Sequence, residues 1–211
     1  MTTPAPDSQI KKAVRLLKQG GLIAFPTETY YGLAVDPFNI EALQRLFKVK
    51  RRGAEKAVLV LVADQSQVKR FADSIPVDFN ILMSAFWAGP LTLVFPARSN
   101  VPELLTGGTG TVGIRQSPNS IAIQLLQEFA GPITATSANR SGANPATTAA
   151  EVEEIFGSEV DLIVDGGATP GGQGSTLVGF DQEISCIRAG KIPFDTIRNS
   201  LKYSAENSVS G

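Results

Sequence analysis

The stretch SQIKKAVRLLKQGGLIAF, residues 8–25, places two different hydrophobic patterns side by side. Ile10, Val14 and Leu17 recur at the spacing of one helix face, and this pattern ends at a glycine pair. The run Leu22–Phe25 that follows is continuously apolar, which is typical of a short strand buried on both faces. A helix that leads directly into a buried strand predicts an α/β protein.

Outward from this stretch, helical and strand patterns alternate along the chain. The segment from Phe25 to Pro37 predicts no regular structure, and Asn39 then caps a helix. Further helical patterns occupy residues 65–72, 77–86, 121–129 and 149–156. Runs rich in β-formers occupy residues 58–62, 91–95, 111–115, 133–136, 162–164, 176–180 and 184–188. We predict a single α/β domain over residues 5–202, a twisted mixed β-sheet flanked by helices, with a disordered tail at 203–211.

The composition excludes several kinds of chemistry. The 211 residues include no histidine and one cysteine, Cys186, which rules out Ser-His-Asp and Cys-His catalysis and argues against structural zinc. The net charge of −1 supplies no global positive field for nucleic acid. No apolar run approaches the roughly 18 residues of a membrane span, and the N-terminus lacks the features of a secretory signal. We expect a cytoplasmic protein without membrane association.

A dense basic cluster follows the second predicted helix. Five of the 19 basic residues lie within positions 48–56. Basic residues are common at a solvated helix C-terminus, where they complement the macrodipole. A loop in front of a buried strand can also deliver side chains to a crevice at the edge of a sheet. If Lys50 and Arg52 converge there, arginine could grip phosphate oxygens in pairs while lysine supplies a compact charge.

Three further segments could contribute to a ligand site. Residues 134–142 carry a strand into Thr-Ser-Ala-Asn, which either satisfies its own backbone as a turn or presents hydrogen-bonding groups to a ligand. Residues 25–33 offer hydroxyls and a carboxylate but contain no glycine motif for phosphate binding. Residues 165–174 contain five glycines, which suit either close approach to an anion or a mobile loop, and a lid would combine both.

Eight motifs lie between residues 20 and 192, in this order: GGLIAFPTETYYGL (20–33), KVKRR (48–52), FWAGPLTLVFPA (86–97), TVGIR (111–115), TATSANRSG (134–142), DGG (165–167), GST (174–176) and IRAGKI (187–192). In this order they resemble the YrdC family, the threonylcarbamoyl-AMP synthases. The resemblance implies a YrdC-like fold in its short, single-domain form.

The resemblance also implies a reaction. L-threonine, bicarbonate and ATP would give threonylcarbamoyl-adenylate and pyrophosphate, the first step towards N6-threonylcarbamoyladenosine at position 37 of tRNA. Mg²⁺ would accompany ATP, with no organic cofactor. The labile product would pass to a separate tRNA threonylcarbamoyl-transferase complex.

Residue by residue, the resemblance assigns roles to ten positions. It implies a catalytic group formed by Lys50, Arg52, Ser137 and Asn139. It implies that ATP contacts Lys50, Arg52, Lys56, Thr111, Asn139 and Arg188. It implies that threonine contacts Thr27, Arg115, Ser137 and Ser175. It implies no metal ligand from the protein itself.

Two other functions are compatible with the sequence. A non-catalytic module for double-stranded RNA or tRNA could use the basic cluster at 48–56, although the net charge is negative and aromatic residues are not interleaved with the basic ones. A carbamoyl-transfer relative could keep the ATP site and use another acceptor amine.

Overall fold

The computed structural model describes residues 7–209, with side chains for residues 7–202. The helices are α1 (Asp7–Lys18), α2 (Ile40–Lys50), α3 (Val77–Phe86), α4 (Glu103–Thr106), α5 (Ser120–Phe129), α6 (Ala149–Phe156) and α7 (Phe194–Val209). The strands are β1 (Ile23–Pro26), β2 (Tyr31–Ala34), β3 (Val60–Leu61), β4 (Leu91–Pro96), β5 (Thr111–Arg115), β6 (Ile133–Thr134), β7 (Thr136–Ser137), β8 (Leu162–Ile163), β9 (Thr176–Asp181) and β10 (Glu183–Arg188). The predicted α/β class is confirmed. None of the helices within residues 7–209 combines the length and apolar character needed to cross a bilayer.

The strands form two mixed sheets, where the sequence predicted one. A four-stranded sheet has the order β7-β2-β1-β8, and a six-stranded sheet has the order β10-β9-β4-β5-β3-β6. Parallel pairing joins β1 to β8, β3 to β5 and β4 to β9, and the other neighbours are antiparallel. Helices flank both sheets, as predicted.

One segment, residues 133–137, belongs to both sheets. Its first half is β6, in which Thr134 pairs with Val60 of the six-stranded sheet. Its second half is β7, in which Ser137 pairs with Gly32 of the four-stranded sheet. The change of partner between β6 and β7 therefore divides the predicted single sheet in two, and it places Ser137 where the sheets meet.

The core explains why the run after α1 is continuously apolar. Leu22 and Ala24 belong to the larger hydrophobic cluster, which also contains the buried side chains of α2 and α3. Ile23 and Phe25 point the other way, into a cluster shared with α1 and α5. Strand β1 is thus covered on both faces, the situation in which strands lose polar alternation.

Four local predictions differ from the structure. The segment expected to be irregular contains β2, a buried strand of four residues, Tyr31–Ala34, that includes a glycine, a residue type depleted in strands. Residues 65–70 form a 3₁₀ helix, a tighter turn that hydrophobic spacing does not distinguish from an α-helix. Helices α4 and α7 were not predicted, α4 because it is one turn long. Helix α7 extends into the predicted tail as far as Val209, and residues 210–211 lie outside the described part.

Replacing Phe79 of α3 with alanine should lower the free energy of unfolding by about 3–5 kcal/mol. The buried ring contacts Phe95 with centroids 4.9 Å apart and Phe180 at 5.9 Å, so its loss leaves a cavity between α3 and the six-stranded sheet. Urea unfolding should detect the change. The matched control is Val77→Ala on the same helix, a side chain 74% exposed, which should change the free energy by less than about 0.5 kcal/mol. Equal losses in both variants would contradict this packing.

Candidate ligand-binding cavity

A cavity of about 700 Å³ opens between the two sheets. Its walls include Gly32 of β2 and Ser137 of β7 from one sheet, and Val94, Gly113 and Leu177 from the other. The volume falls within the range of small-molecule sites. Seven of the ten residues with predicted ligand roles line it: Thr27, Arg52, Thr111, Arg115, Ser137, Ser175 and Arg188.

The end of helix α2 separates the side chains of Lys50 and Arg52. Arg51 adopts a left-handed conformation with φ 51°, and its amide bonds to the carbonyl of Lys48. This turn stops the helix, so that Lys50 stays on its buried face while Arg52 reaches the cavity wall. The two basic side chains therefore occupy different places.

Lys50 lies beneath the loop that carries Ser137 and Asn139, outside the cavity lining. Its ammonium donates to the carbonyl of Ser137 and, at 2.7 Å, to the carbonyl of Asn139. The carbonyl of Lys50 in turn accepts from the amide of Ser141 at 2.9 Å. Burial, with the nearby charges of Arg52 and Arg140, lowers the pKa of Lys50 to about 7. In this geometry Lys50 fastens the loop rather than facing a phosphate.

The Ser137–Asn139 pair forms one hydrogen-bonded unit. The hydroxyl of Ser137 donates to Oδ1 of Asn139 at 2.7 Å. The side-chain nitrogen Nδ2 of Asn139 donates to the carbonyls of Arg140 and Ala143 at 2.9 and 2.7 Å. The side chain of Asn139 therefore makes its hydrogen bonds within its own turn, and only Ser137 of this pair lines the cavity.

Arg52 shapes the loop that follows α2 and also lines the cavity. Its Nε donates to the carbonyl of Lys56 at 3.0 Å, and its Nη2 donates to the carbonyl of Ala57 at 2.7 Å. Burial lowers the pKa of Arg52, an effect opposed by Glu55 and reinforced by Arg188. Lys56 is exposed and lies outside the lining.

Arg115, at the end of β5, is the most deeply buried arginine of the site. Its Nη1 pairs with Oε1 of Glu28, whose other oxygen accepts from the hydroxyl of Ser117. Within residues 7–202, Nε of Arg115 is buried without a hydrogen-bond partner. Burial, and then the positive charge of Arg188, lower the pKa of Arg115 to about 10, so the guanidinium remains charged at neutral pH.

Ser175 and Arg188 form a second polar group across the cavity. Nη2 of Arg188 donates to the carbonyl of Ser175 at 2.9 Å. The hydroxyl of Ser175 lies 2.8 Å from that of Thr92, which is completely buried in β4. Burial lowers the pKa of Arg188. Thr111 hydrogen-bonds with the hydroxyl of Thr109 at 2.8 Å on the same side.

The Thr27 loop and the glycine-rich loop 165–174 are attached to each other. The hydroxyl of Thr27 donates to the carbonyl of Tyr30 at 2.6 Å and closes its own turn. The amide of Gly171 donates to the carbonyl of Thr29 at 2.7 Å, and the hydroxyl of Tyr31 donates to the carbonyl of Gly167 at 2.8 Å. The two loops thus form one cavity wall, to which Gly174 contributes.

Several functional candidates were missed from the sequence. Glu28 and Ser117 hold Arg115, and Thr92 holds Ser175, yet none received a role. The available signal for Thr92 was a polar residue inside the otherwise apolar run 91–95. Glu28 and Ser117 are 89 positions apart, so their contact required the tertiary structure.

The described side chains offer no metal site of their own. Within residues 7–202, no group of three or more histidine, cysteine, aspartate or glutamate side chains is arranged to hold a metal ion.

Comparison with known proteins establishes the family. Residues 15–190 match the Sua5/YciO/YrdC family, which carries the description "Telomere recombination". The chain belongs to this family. The resemblance seen in the eight motifs is thus confirmed.

Relatives in this family carry a common name. The threonylcarbamoyl-AMP synthase of Pyrococcus abyssi is 37% identical over 194 residues, which make up 92% of this chain and 57% of that protein. The threonylcarbamoyl-AMP synthase of Coxiella burnetii is 37% identical over 76% of this chain and 87% of its own length. The crystal structure of P. abyssi Sua5 complexed with L-threonine has a TM-score of 0.88 at 36% identity, covering 91% of this chain and 57% of that one. The chain therefore spans little more than half of the Pyrococcus protein.

The buried ammonium of Lys50 predicts a pH-dependent stability. Its pKa is lowered in the folded chain from 10.5 to about 7, so between these values the unfolded chain binds more protons. Raising the pH from 7 to 9 should therefore stabilise the wild type relative to Lys50→Met, by at most about 1.4 kcal/mol per pH unit for one proton. Urea unfolding of both proteins at several pH values measures this difference. The control is Lys48→Met at an exposed position, whose free energy of unfolding should change with pH as that of the wild type does. The same pH dependence in Lys50→Met and the wild type would contradict the burial of a titrating ammonium at Lys50.

Proposed function

We propose that this chain synthesises L-threonylcarbamoyl-adenylate from L-threonine, bicarbonate and ATP, with release of pyrophosphate, for N6-threonylcarbamoyladenosine modification of tRNA at position 37. One observation carries the proposal. The cavity is lined by three arginines, Arg52, Arg115 and Arg188, in a family whose P. abyssi member was crystallised with L-threonine. Three cations around one cavity suit a ligand set rich in carboxylate and phosphate oxygens.

Arg115 is the proposed anchor for the threonine carboxylate. Its Nη1 is paired with Glu28, and its side chain lines the cavity, where it can meet the carboxylate of a ligand. Ser175, Ser137 and Thr27 supply hydroxyls on the same cavity for the rest of the amino acid.

Arg52, Thr111 and Arg188 are the proposed contacts for ATP in the cavity wall. Lys56 lies near the loop that follows β7, since its ammonium is 3.4 Å from the hydroxyl of Ser141. In this proposal Lys50 and Asn139 act from behind the wall, because their polar groups hold the loop that presents Ser137. Their catalytic contribution is the placement of Ser137.

The reaction needs no nucleophile from the protein. The neutral threonine amine adds to bicarbonate with loss of water and gives a carbamate. A carbamate oxygen attacks the α-phosphorus of ATP, the bond to the bridging oxygen breaks, and pyrophosphate leaves with the electron pair. The protein contributes by positioning the reactants and by placing positive charge beside the phosphates.

Mg²⁺ is proposed to enter with ATP. Because the described residues supply no cluster of metal ligands, phosphate oxygens and water would complete its shell. When bound, the cation neutralises phosphate charge.

The labile product is proposed to pass to a tRNA threonylcarbamoyl-transferase complex in the cytoplasm. A non-catalytic RNA-binding role is less well supported, because Arg52, Arg115 and Arg188 line one cavity between the two sheets instead of forming a row that follows a phosphate backbone. A relative that uses another acceptor amine differs from this proposal only in the amino-acid end of the site.

Mass spectrometry tests the reaction directly. The purified chain, incubated with ATP, Mg²⁺, ¹³C-bicarbonate and L-threonine, should form threonylcarbamoyl-adenylate that carries one ¹³C. Omitting threonine should abolish the product, and replacing it with each other amino acid tests the acceptor. Salt-sensitive tRNA binding without any labelled adenylate would favour the RNA-binding alternative instead.

Arg52→Ala should reduce the rate of pyrophosphate release about ten- to a hundredfold at saturating threonine and bicarbonate. The reason is the loss of one charge-assisted phosphate contact, worth about 1.5–3 kcal/mol. The matched control is Arg51→Ala, an exposed neighbour outside the cavity lining, which should keep its rate within about twofold. Similar rates in wild type and Arg52→Ala would remove Arg52 from the phosphate site.

A further inference from the structure

We propose that Glu28, supported by Ser117, is a positioning residue that sets the affinity of the site for the carboxylate of L-threonine. It does so by holding Arg115 in one orientation. This inference rests on the proposed function, in which Arg115 binds that carboxylate. It assigns a role to the glutamate of the Pro-Thr-Glu-Thr loop, which otherwise lines no part of the cavity.

The three side chains form a closed, buried arrangement. Oε1 of Glu28 accepts from Nη1 of Arg115, and Oε2 accepts from the hydroxyl of Ser117. The side chains of Arg115 and Glu28 are only 4% and 11% exposed. The hydroxyl of Ser117 also accepts from the amide of Asn119, the N-cap of helix α5, at 3.2 Å. The pair is therefore anchored to a rigid helix start.

The contact with Glu28 selects which edge of Arg115 remains for a ligand. A guanidinium can bind a carboxylate in a bidentate manner through two neighbouring N–H groups. Nη1 is occupied by Glu28, whereas Nε is buried and has no partner among the described residues. A second carboxylate must therefore meet the guanidinium away from the contact that Nη1 makes with Glu28. Without Glu28, the Arg115 side chain would lose conformational entropy when it binds a ligand. The contact with Glu28 orders this side chain before binding and so reduces that cost.

Glu28 also offsets charge at this place. Arg115 lies in the positive field of Arg188, and its burial disfavours the charged form, as its lowered pKa indicates. A carboxylate in contact with the guanidinium opposes both effects. Without it, Arg115 would be a buried cation that depends on the substrate alone.

The geometry argues against Glu28 as a general base. Both of its carboxylate oxygens already accept hydrogen bonds, from Arg115 and from Ser117. A general base must lie within hydrogen-bond reach of the proton that it removes. Glu28 is not among the residues that line the cavity, so it acts on the substrate through Arg115.

The test compares Glu28→Gln with the wild type by isothermal titration calorimetry, using L-threonine, L-threoninol and ATP separately. The glutamine keeps the shape but not the charge. L-threonine should bind at least about tenfold more weakly, the effect expected when a charge-assisted contact is lost. ATP affinity should change less than about threefold. L-threoninol, which lacks the carboxylate, should bind equally to both proteins.

Asp161→Asn is the matched control, because it removes the carboxylate of another ion pair, with Arg45 on α2, away from the cavity. It should leave all three affinities unchanged. A purely structural role of Glu28 would weaken L-threonine, L-threoninol and ATP alike, and that result would overturn the proposal. Unchanged L-threonine affinity in Glu28→Gln would also overturn it.

Ser117→Ala provides a second readout if Glu28→Gln does not fold. It removes one support of Glu28 and keeps the ion pair, so L-threonine affinity should fall about threefold or more while ATP affinity does not. An equal change for both ligands would overturn the proposal. If the wild type itself neither binds L-threonine nor forms the labelled adenylate, the proposed function fails, whatever the variants do.

Discussion

Positive charge with reduced access to water is the constraint around which this site is built. Lys50 and Arg115 are buried, Arg52 is half-buried and Arg188 is more exposed, and the pKa of each is lowered, in every case chiefly by loss of hydration. Arg52 adds to the shift of Lys50, and Arg188 adds to those of Arg52 and Arg115. Such a cluster is costly unless each charge is hydrogen-bonded or paired. Hydrogen bonds within the fold reduce that cost, and the anionic ligands that we propose would reduce it further.

The fold answers it with backbone carbonyls. Two carbonyls of the loop 137–139 accept from Lys50, and the carbonyls of Lys56 and Ala57 accept from Arg52. The carbonyl of Ser175 accepts from Arg188. These bonds tie each cation to a loop, so the same interactions that satisfy the charges also shape the cavity. Arg115 is the exception, since its partner is a carboxylate and its buried Nε has no hydrogen-bond partner among the side chains and backbone that the structure describes.

The residual positive charge suits anionic ligands. A carboxylate and a chain of phosphates would bring the counter-charge that the backbone cannot supply, because carbonyl dipoles solvate a cation without neutralising it. Binding would then relieve a strain that folding leaves in place. The cost of holding positive charge in the folded chain is thus linked to the adenylation that we propose.

The place where two sheets meet depends on contacts between distant segments. The segment 133–137 exchanges hydrogen bonds with β3 and then with β2, which brings the end of β7 over the end of α2. The local pattern of this segment predicted a strand but could not show that its partner changes halfway. Strand β2 was missed for a different reason, because its four residues include a glycine, a residue type depleted in strands.

The site residues divide in the same manner. The order of eight motifs identified the family and selected ten positions, and seven of them line one cavity. Lys50 was expected to face phosphates, but the left-handed turn at Arg51 keeps it under the loop of Ser137. Glu28, Ser117 and Thr92 received no role, because each acts on a partner more than 80 positions away.

By itself, the sequence determined the α/β class, the family and the residue types available for chemistry, since periodicity, motif order and the absence of histidine can all be read without the three-dimensional arrangement of the chain. Only the tertiary structure decided the division into two sheets, which cations face the cavity, and the pairing of Arg115 with Glu28. Those outcomes depend on burial and on hydrogen bonds between segments far apart in the chain, and neither quantity is defined until the chain has folded.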